Sequence, residues 1–353
     1  MRPRTYALAL SAIATSLFLA VAAANVVIDP VGVFGTNVLP LGSNSNERYL
    51  RFSAYQARPD RYDALLFGSS RSQWLPLDDL SRHMAGATLA NFGVAYGMLS
   101  DHLPVLEYLL RHQAPDRKRI REIFLLLDAD SFGIRPHNDE SLAFALPPAL
   151  SGEHPARFWW RNLVAIQVQA WRGALKEALD KWRPSQSSGH FPERTRRDVS
   201  SRMVATFGAG AARADGLPNP ATGTAKAAML ESVTERPGYR RHLELWSRFV
   251  SLCREHDIHL LVAVSPLSHA TLSGLNRSDL LKAVDDLARL APVWDFTDAG
   301  WVSDDPTMWR DGNHFTMDVG GMIVARVFGD EMPSRWAEFG HFHPQQNVVV
   351  DAR

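Results

Sequence analysis

Ala64-Leu65-Leu66-Phe67-Gly68-Ser69-Ser70-Arg71-Ser72 is the stretch on which the reading of this chain turns. A short apolar run stops at a glycine, as a strand buried on both faces does, and the serines follow in the turn. Working outward, Ala87 to Asn91 reads as a second strand, Glu122 to Leu127 as a third, His259 to Val264 as a fourth and Val293 to Phe296 as a short fifth. Helical patterns separate them. Leu99, Leu103, Leu106 and Leu110 share one face, as do Leu243, Trp246, Val250 and Cys253, then Leu280, Val284 and Leu287, and a last helix covers Val319 to Phe328. Strands alternating with helices predict an α/β fold with a doubly wound, mostly parallel sheet. Ligands of such sheets bind outside the C-terminal ends of the strands, where the turn after Phe67 falls.

The alternation is interrupted. From 136 to 237 no strand pattern occurs, and His154 to Trp182 carries Phe158, Trp159, Val164, Ile166, Trp171, Leu175 and Leu179 at helical spacing. The polar, Gly/Ala-rich tract Arg183 to Ala225 reads as loop. This region is expected to be a mainly helical insertion over one side of the site. Its tryptophans Trp159, Trp160 and Trp171 either pack in a small helical core or stack on sugar rings.

At the N-terminus, Arg2 and Arg4 precede an uncharged stretch from Tyr6 to Ile28, closed by Asp29-Pro30. About 20 apolar residues suffice to span a bilayer. The arginines belong on the cytoplasmic side, which exports everything after Asp29. A cleaved signal peptide competes with an uncleaved anchor, because Ala22-Ala23-Ala24 offers small residues for cleavage. The expected organisation is an anchor or signal over 1–29, a linker or docking segment over 30–60, and the α/β domain in two pieces, 61–135 and 238–330. The insertion occupies 136–237 and a C-terminal tail 331–353.

The 353 residues are 46% hydrophobic, ordinary for a packed core, with 38 basic and 38 acidic side chains. Zero net charge gives no electrostatic reason to expect nucleic acid and leaves neutral substrates such as acylated sugars open. The single cysteine, Cys253, permits no intrachain disulfide and reads as a buried, inert thiol.

Three turns carry the chemistry. Ser70, in a tight turn at a strand's C-terminal end, projects into the crevice, although Gly-Ser-Ser is also ordinary turn sequence. In Trp309-Arg310-Asp311-Gly312-Asn313-His314-Phe315 a single loop can bring a base and its orienting carboxylate to a serine nucleophile; taken alone it is equally a surface turn with a stray histidine. Asn91-Phe92-Gly93-Val94-Ala95-Tyr96-Gly97 follows the second strand, and its glycines allow backbone to approach a substrate and donate to an oxyanion. The three turns fall in this order along one sheet.

That joint occurrence resembles the SGNH, or GDSL-like, hydrolase family over Asp63 to Gly329. The resemblance implies a flavodoxin-like fold, with Ser70 as nucleophile, Asp311 and His314 completing the triad, and oxyanion donors at Ser70 and Gly97, with Gly93 in reserve. Ser69 stands where the family's usual aspartate does. The third family block ends in Gly-x-Asn-Asp, and here the stretch is Leu126-Leu127-Asp128-Ala129-Asp130-Ser131-Phe132. A carboxylate cannot donate unless protonated, so the oxyanion hole is smaller or another group fills it. With the Asp29 to Phe34 segment (Asp-Pro-Val-Gly-Val-Phe), these features are similar to a membrane-anchored bacterial branch that includes the alginate O-acetylation proteins and the D-alanyl-lipoteichoic acid transfer protein. The implied activity is transfer of an acetyl or similar group to or from a cell-envelope or exported polysaccharide, beside a membrane-bound O-acyltransferase. The domain would face the periplasm from the inner membrane, and no cofactor is implied. A catalytically silent polysaccharide-binding or scaffolding module is the alternative.

Further residues are expected along the crevice: Arg71, Asp128, Asp130, Ser265 and Asn313. Arg71 could steer an anionic sugar or pair with an acid. His269 is a possible rival base without an orienting acid nearby in sequence. His341-Phe342-His343 reads as surface rather than metal site, so no metal is expected.

Overall fold

The computed structural model describes residues 3–36, 38–39, 45–113, 119–133, 141–182, 230–336 and 338–346. The tract Arg183 to Ala225 lies outside them. The chain divides into two compact units, Met1–Ala54 with His137–Arg213, and Tyr55–Pro136 with Ala214–Arg353. Among the described residues, the helices of seven residues or more are α1 (Pro3–Ile28), α2 (Glu47–Ala57), α3 (Leu77–His83), α4 (Leu99–His112), α5 (Pro155–Val164), α6 (Val168–Trp182), α7 (Tyr239–Glu255), α8 (Arg277–Ala288) and α9 (Met317–Phe328).

The second unit is α/β. Its strands are β1 (Ala64–Gly68), β2 (Leu89–Asn91), β3 (Glu122–Leu127), β4 (His259–Val264), β5 (Val293–Asp295) and β6 (His341–His343), in the order β2-β1-β3-β4-β5-β6. All neighbours are parallel except β5 and β6. Every residue of β1 is buried, because helices cover both faces. On one face Phe67 packs edge-on against Phe249 of α7, ring centroids 5.7 Å apart, and the Trp246 indole donates to Leu287 O at 3.1 Å, tying α7 to α8. On the other face Ala64, Leu66, Phe124 and Leu126 meet Leu80 of α3 and Val319 and Ile323 of α9. Adjacent residues point to opposite faces, so one apolar run serves two cores.

Two boundaries differ from the sequence reading. The stretch given to a tail contains β6, held by Phe339 against Phe296 at 4.9 Å; three residues reading His-Phe-His on a sheet edge carry no strand pattern. Residues 230–237, given to the insertion, belong with the sheet: Glu231 bridges Leu275 and Arg236 donates to Asp130 O at 2.7 Å.

The first unit gathers α1, the segment after it and the helices of the insertion. Among the described residues α1 is the one helix long and apolar enough to cross a membrane. Val31 and Val33, expected in a linker, are buried with Leu142 and Phe158. Tyr49 stacks on Phe158 at 5.6 Å, and the Asn46 amide donates to Leu142 O and Ala145 O, both at 2.8 Å.

Candidate active site

The strand order reverses at β1, which has β2 on one side and β3 on the other, and this is the place where open parallel sheets leave a crevice. The turn after β1 enters it. Ser69 caps a five-residue 3-10 helix, Ser70–Trp74, its hydroxyl accepting from the Arg71 N–H at 3.1 Å while its carbonyl accepts from the Ser72 N–H and hydroxyl at 3.1 and 2.7 Å. Ser70 opens this turn, so its N–H has no partner within it, as at the start of any helix.

Ser70 Oγ lies 2.8 Å from His314 Nε2. His314 Nδ1 lies 2.8 Å from Asp311 Oδ2 and 3.0 Å from Oδ1. Asp311 Oδ1 also accepts the backbone N–H groups of Asn313 and His314, both at 2.8 Å. Partial burial raises the Asp311 carboxyl, but these backbone bonds and the His314 ring outweigh it and hold it below the usual carboxylate value. A charged Asp311 keeps the proton on Nδ1, leaving Nε2 as the acceptor that faces Ser70. Side chains of Asp311 and His314 are each 31% exposed, open enough for a substrate to reach.

The loop bearing this pair is a small hairpin. Trp309 bridges fully buried Phe315, and the Arg310 N–H donates to His314 O at 2.8 Å. Two further bonds hold it from the sheet side: Ser268 Oγ to Gly312 O at 2.6 Å, and Arg71 Nε to Asn313 O at 2.8 Å.

Arg71, next to Ser70 in sequence, is the hub behind it. Its guanidinium forks onto Asp130 at 2.7 and 2.9 Å, donates to Ser265 Oγ at 3.1 Å and lies 3.4 Å from Asp128. Ser265 Oγ passes the chain on to Asp128 Oδ1 at 2.9 Å. Burial pulls the Arg71 pKa down, but Asp128 and Asp130 more than offset it and keep the group charged. Burial raises the Asp130 carboxyl too, and Arg71 with Arg236 overcomes this, leaving it lowered. Burial dominates at Asp128, whose carboxyl is pushed up despite Arg71. Of the residues expected along the crevice, Arg71, Ser265 and Asp128 are therefore buried behind the turn, Asp130 is partly covered, and Asn313 alone is exposed.

Gly93 and Gly97 serve close packing. A Cβ on Gly93 would overlap Ser72 Oγ, and one on Gly97 the Gly68 carbonyl oxygen. Their N–H groups are engaged within the loop, Gly93 with Asn91 Oδ1 at 2.8 Å and Gly97 with Val94 O at 2.9 Å, so a substrate oxygen would have to displace those bonds. His269 finds an acid the sequence did not offer, Asp304 at 2.8 Å, and both are largely exposed. His343 contacts Asp285 at 3.2 Å, and no cluster of three or more metal-ligating side chains occurs among the described residues. Cys253 is buried, its thiol pushed up to about 12 by burial.

Beside Ser268, Arg236 is a site-supporting residue that the sequence did not disclose. It reaches Asp130 O from a stretch 106 residues away, and nothing in its neighbourhood marks it. No protein-family model matches the chain, and no curated protein does.

Proposed function

We propose that this chain is an SGNH-like serine acyltransferase or esterase, acting outside the cytoplasm on an O-acylated envelope or exported polysaccharide. The single observation that carries this reading is the continuous contact from Ser70 Oγ through His314 to Asp311. The β2-β1-β3-β4-β5 order, which is that of flavodoxin-like sheets, and the position of Ser70 at the switch point support it.

In the proposed reaction His314 Nε2 takes the Ser70 hydroxyl proton while Oγ bonds to the acyl carbon. The carbonyl oxygen becomes an oxyanion facing the Ser70 N–H. The ester C–O bond then breaks, the leaving alkoxide collects the proton from His314, and the acyl group stays on Ser70. An acceptor hydroxyl, or water, gives its proton to His314 as its oxygen bonds to the acyl carbon; the Ser70 Oγ–acyl bond then breaks and His314 returns the proton to Oγ, restoring Ser70. Asp311 holds the ring and balances the imidazolium charge in both halves. The anchor reading of α1 puts the protein in the bacterial inner membrane with this domain on the periplasmic side, where a membrane-bound O-acyltransferase is the natural acyl source.

Asp128 in the place of an amide donor, together with the engaged glycine N–H groups, favours a second reading, a catalytically silent polysaccharide-binding module. Turnover of a small acetyl ester separates the two. The enzyme reading expects hydrolysis that is lost in Ser70→Ala and His314→Ala; a folded wild-type chain with no turnover supports the silent module.

A further inference from the structure

Six large apolar side chains on α5, α6 and the link between them stand in the open: Trp159, Trp160, Ile166, Val168, Leu175 and Leu179, from 40% to 70% exposed. They are not scattered, because both helices pack beside α1. Trp160 stacks on Phe18 of α1 with ring centroids 5.6 Å apart. The Asn25 amide of α1 donates to Leu163 O at 2.8 Å and Ala165 O at 2.9 Å, while its oxygen accepts from the Trp171 indole at 2.9 Å.

These contacts fix a depth. The first arginine inside α1 is Arg4, which stays at headgroup level. A hydrocarbon core takes about 20 helical residues, which counted from Thr5 end near Ala24. Phe18 lies six residues short of that point, about 9 Å inside at the helical rise. Whatever covers α1 at Phe18 must therefore cover Trp160. The Asn25 contacts point the same way. The last carbonyls of a helix need partners, and at the end of α5 the buried Asn25 side chain of α1 supplies them, tying α5 to α1 at the edge of that span.

We infer that α5 and α6 are a second membrane-contacting element, lying in the interfacial zone of the leaflet at the C-terminal end of α1 with these six side chains in lipid. Tryptophans suit that zone, and amphipathic helices with basic flanks lie in it. Arg172 and Lys176, both exposed on α6, can rest their stems on apolar surface and reach headgroups. The occupant is the bilayer itself. The inference rests on the anchor reading of α1 and stands apart from the chemistry at Ser70.

The test uses the full chain in phospholipid vesicles, with Cys253→Ala removing the one native thiol. Single cysteines replace Trp160, Ile166 or Leu179, with Ile13→Cys reporting on α1 and Leu281→Cys on the exposed surface of the α/β unit, each carrying an environment-sensitive dye. Dyes at 160, 166 and 179 should be quenched by spin-labelled lipids and show iodide quenching about fivefold weaker than at 281. Positions 166 and 179 lie outside the Phe18 stack and report even where Trp160→Cys disturbs folding. Iodide quenching equal to that at 281 overturns the inference. So does protection from both quenchers, which marks a protein cover, and so does an Ile13→Cys dye that lipid quenchers cannot reach.

Discussion

Removing the Arg71 guanidinium should hurt this protein twice, in stability and in activity. Arg71→Met leaves Asp130 without its fork at 2.7 and 2.9 Å, Ser265 Oγ without its donor at 3.1 Å and Asn313 O without its donor at 2.8 Å. Breaking one side of a buried ion pair costs about 3–5 kcal/mol. Arg236 still faces Asp130, and Asp128, whose carboxyl burial already pushes up, can shed its charge by taking a proton. Together these reduce the loss to about 3 kcal/mol, the low end of that range. Arg71→Lys keeps the charge but not the fork, and should cost about half as much. Activity should fall in both, because the Asn313 carbonyl that steadies the His314 loop loses its tether; a displaced base costs on the order of 10–100-fold. Urea unfolding of the purified protein measures the first effect and ester turnover under native conditions the second. The coupling is checked by Arg71→Met with Asp130→Asn, which should be about 1–2 kcal/mol more stable than the sum of the single changes. Wild-type stability in Arg71→Met, or strict additivity in the double variant, would refute the network as drawn.

Acid should expose His242. It is buried, stacked on Phe132 at 4.4 Å, and burial pushes its pKa down to about 4 from 6.5. The unfolded chain binds that proton first, so this contribution is whole above about pH 6.5 and declines by about 3 kcal/mol as pH falls to 4. Urea unfolding of His242→Phe at several pH values should show a shallower acid limb; an unchanged limb contradicts the assignment. Gly97→Ala and Gly93→Ala should each lose about 2–3 kcal/mol, because one Cβ meets the fixed Gly68 carbonyl and the other the buried Ser72 hydroxyl that is bonded to Ser69 O. A wild-type midpoint in thermal unfolding of either variant would contradict that packing.

The sheet was legible where burial on both faces makes a strand one continuous apolar run, as in Ala64 to Phe67 and Glu122 to Leu127. It was illegible at β6, which is short, half polar and dependent on β5 for its conformation. The Asp311–His314 pair could be read because three residues of one hairpin suffice to join it. Arg71 could not be assigned from sequence, because its partners lie at the ends of β3 and β4 and only the parallel register brings them together. Gly93 and Gly97 were read as glycines that let backbone approach a substrate; the groups that approach them are Ser72 and Gly68 of the neighbouring turn. The packing of Val31 and Val33 with Phe158 was hidden by loop-like composition around two short apolar residues.

Reaction of the folded chain with a serine-directed phosphonate, followed by mass spectrometry of its peptides, tests the nucleophile itself. One adduct per chain is expected, on Ser70, absent in Ser70→Ala and much slower in His314→Ala, which lacks the base that faces Ser70 Oγ. An adduct that persists in Ser70→Ala, or a folded wild-type chain that takes up none, would contradict the triad.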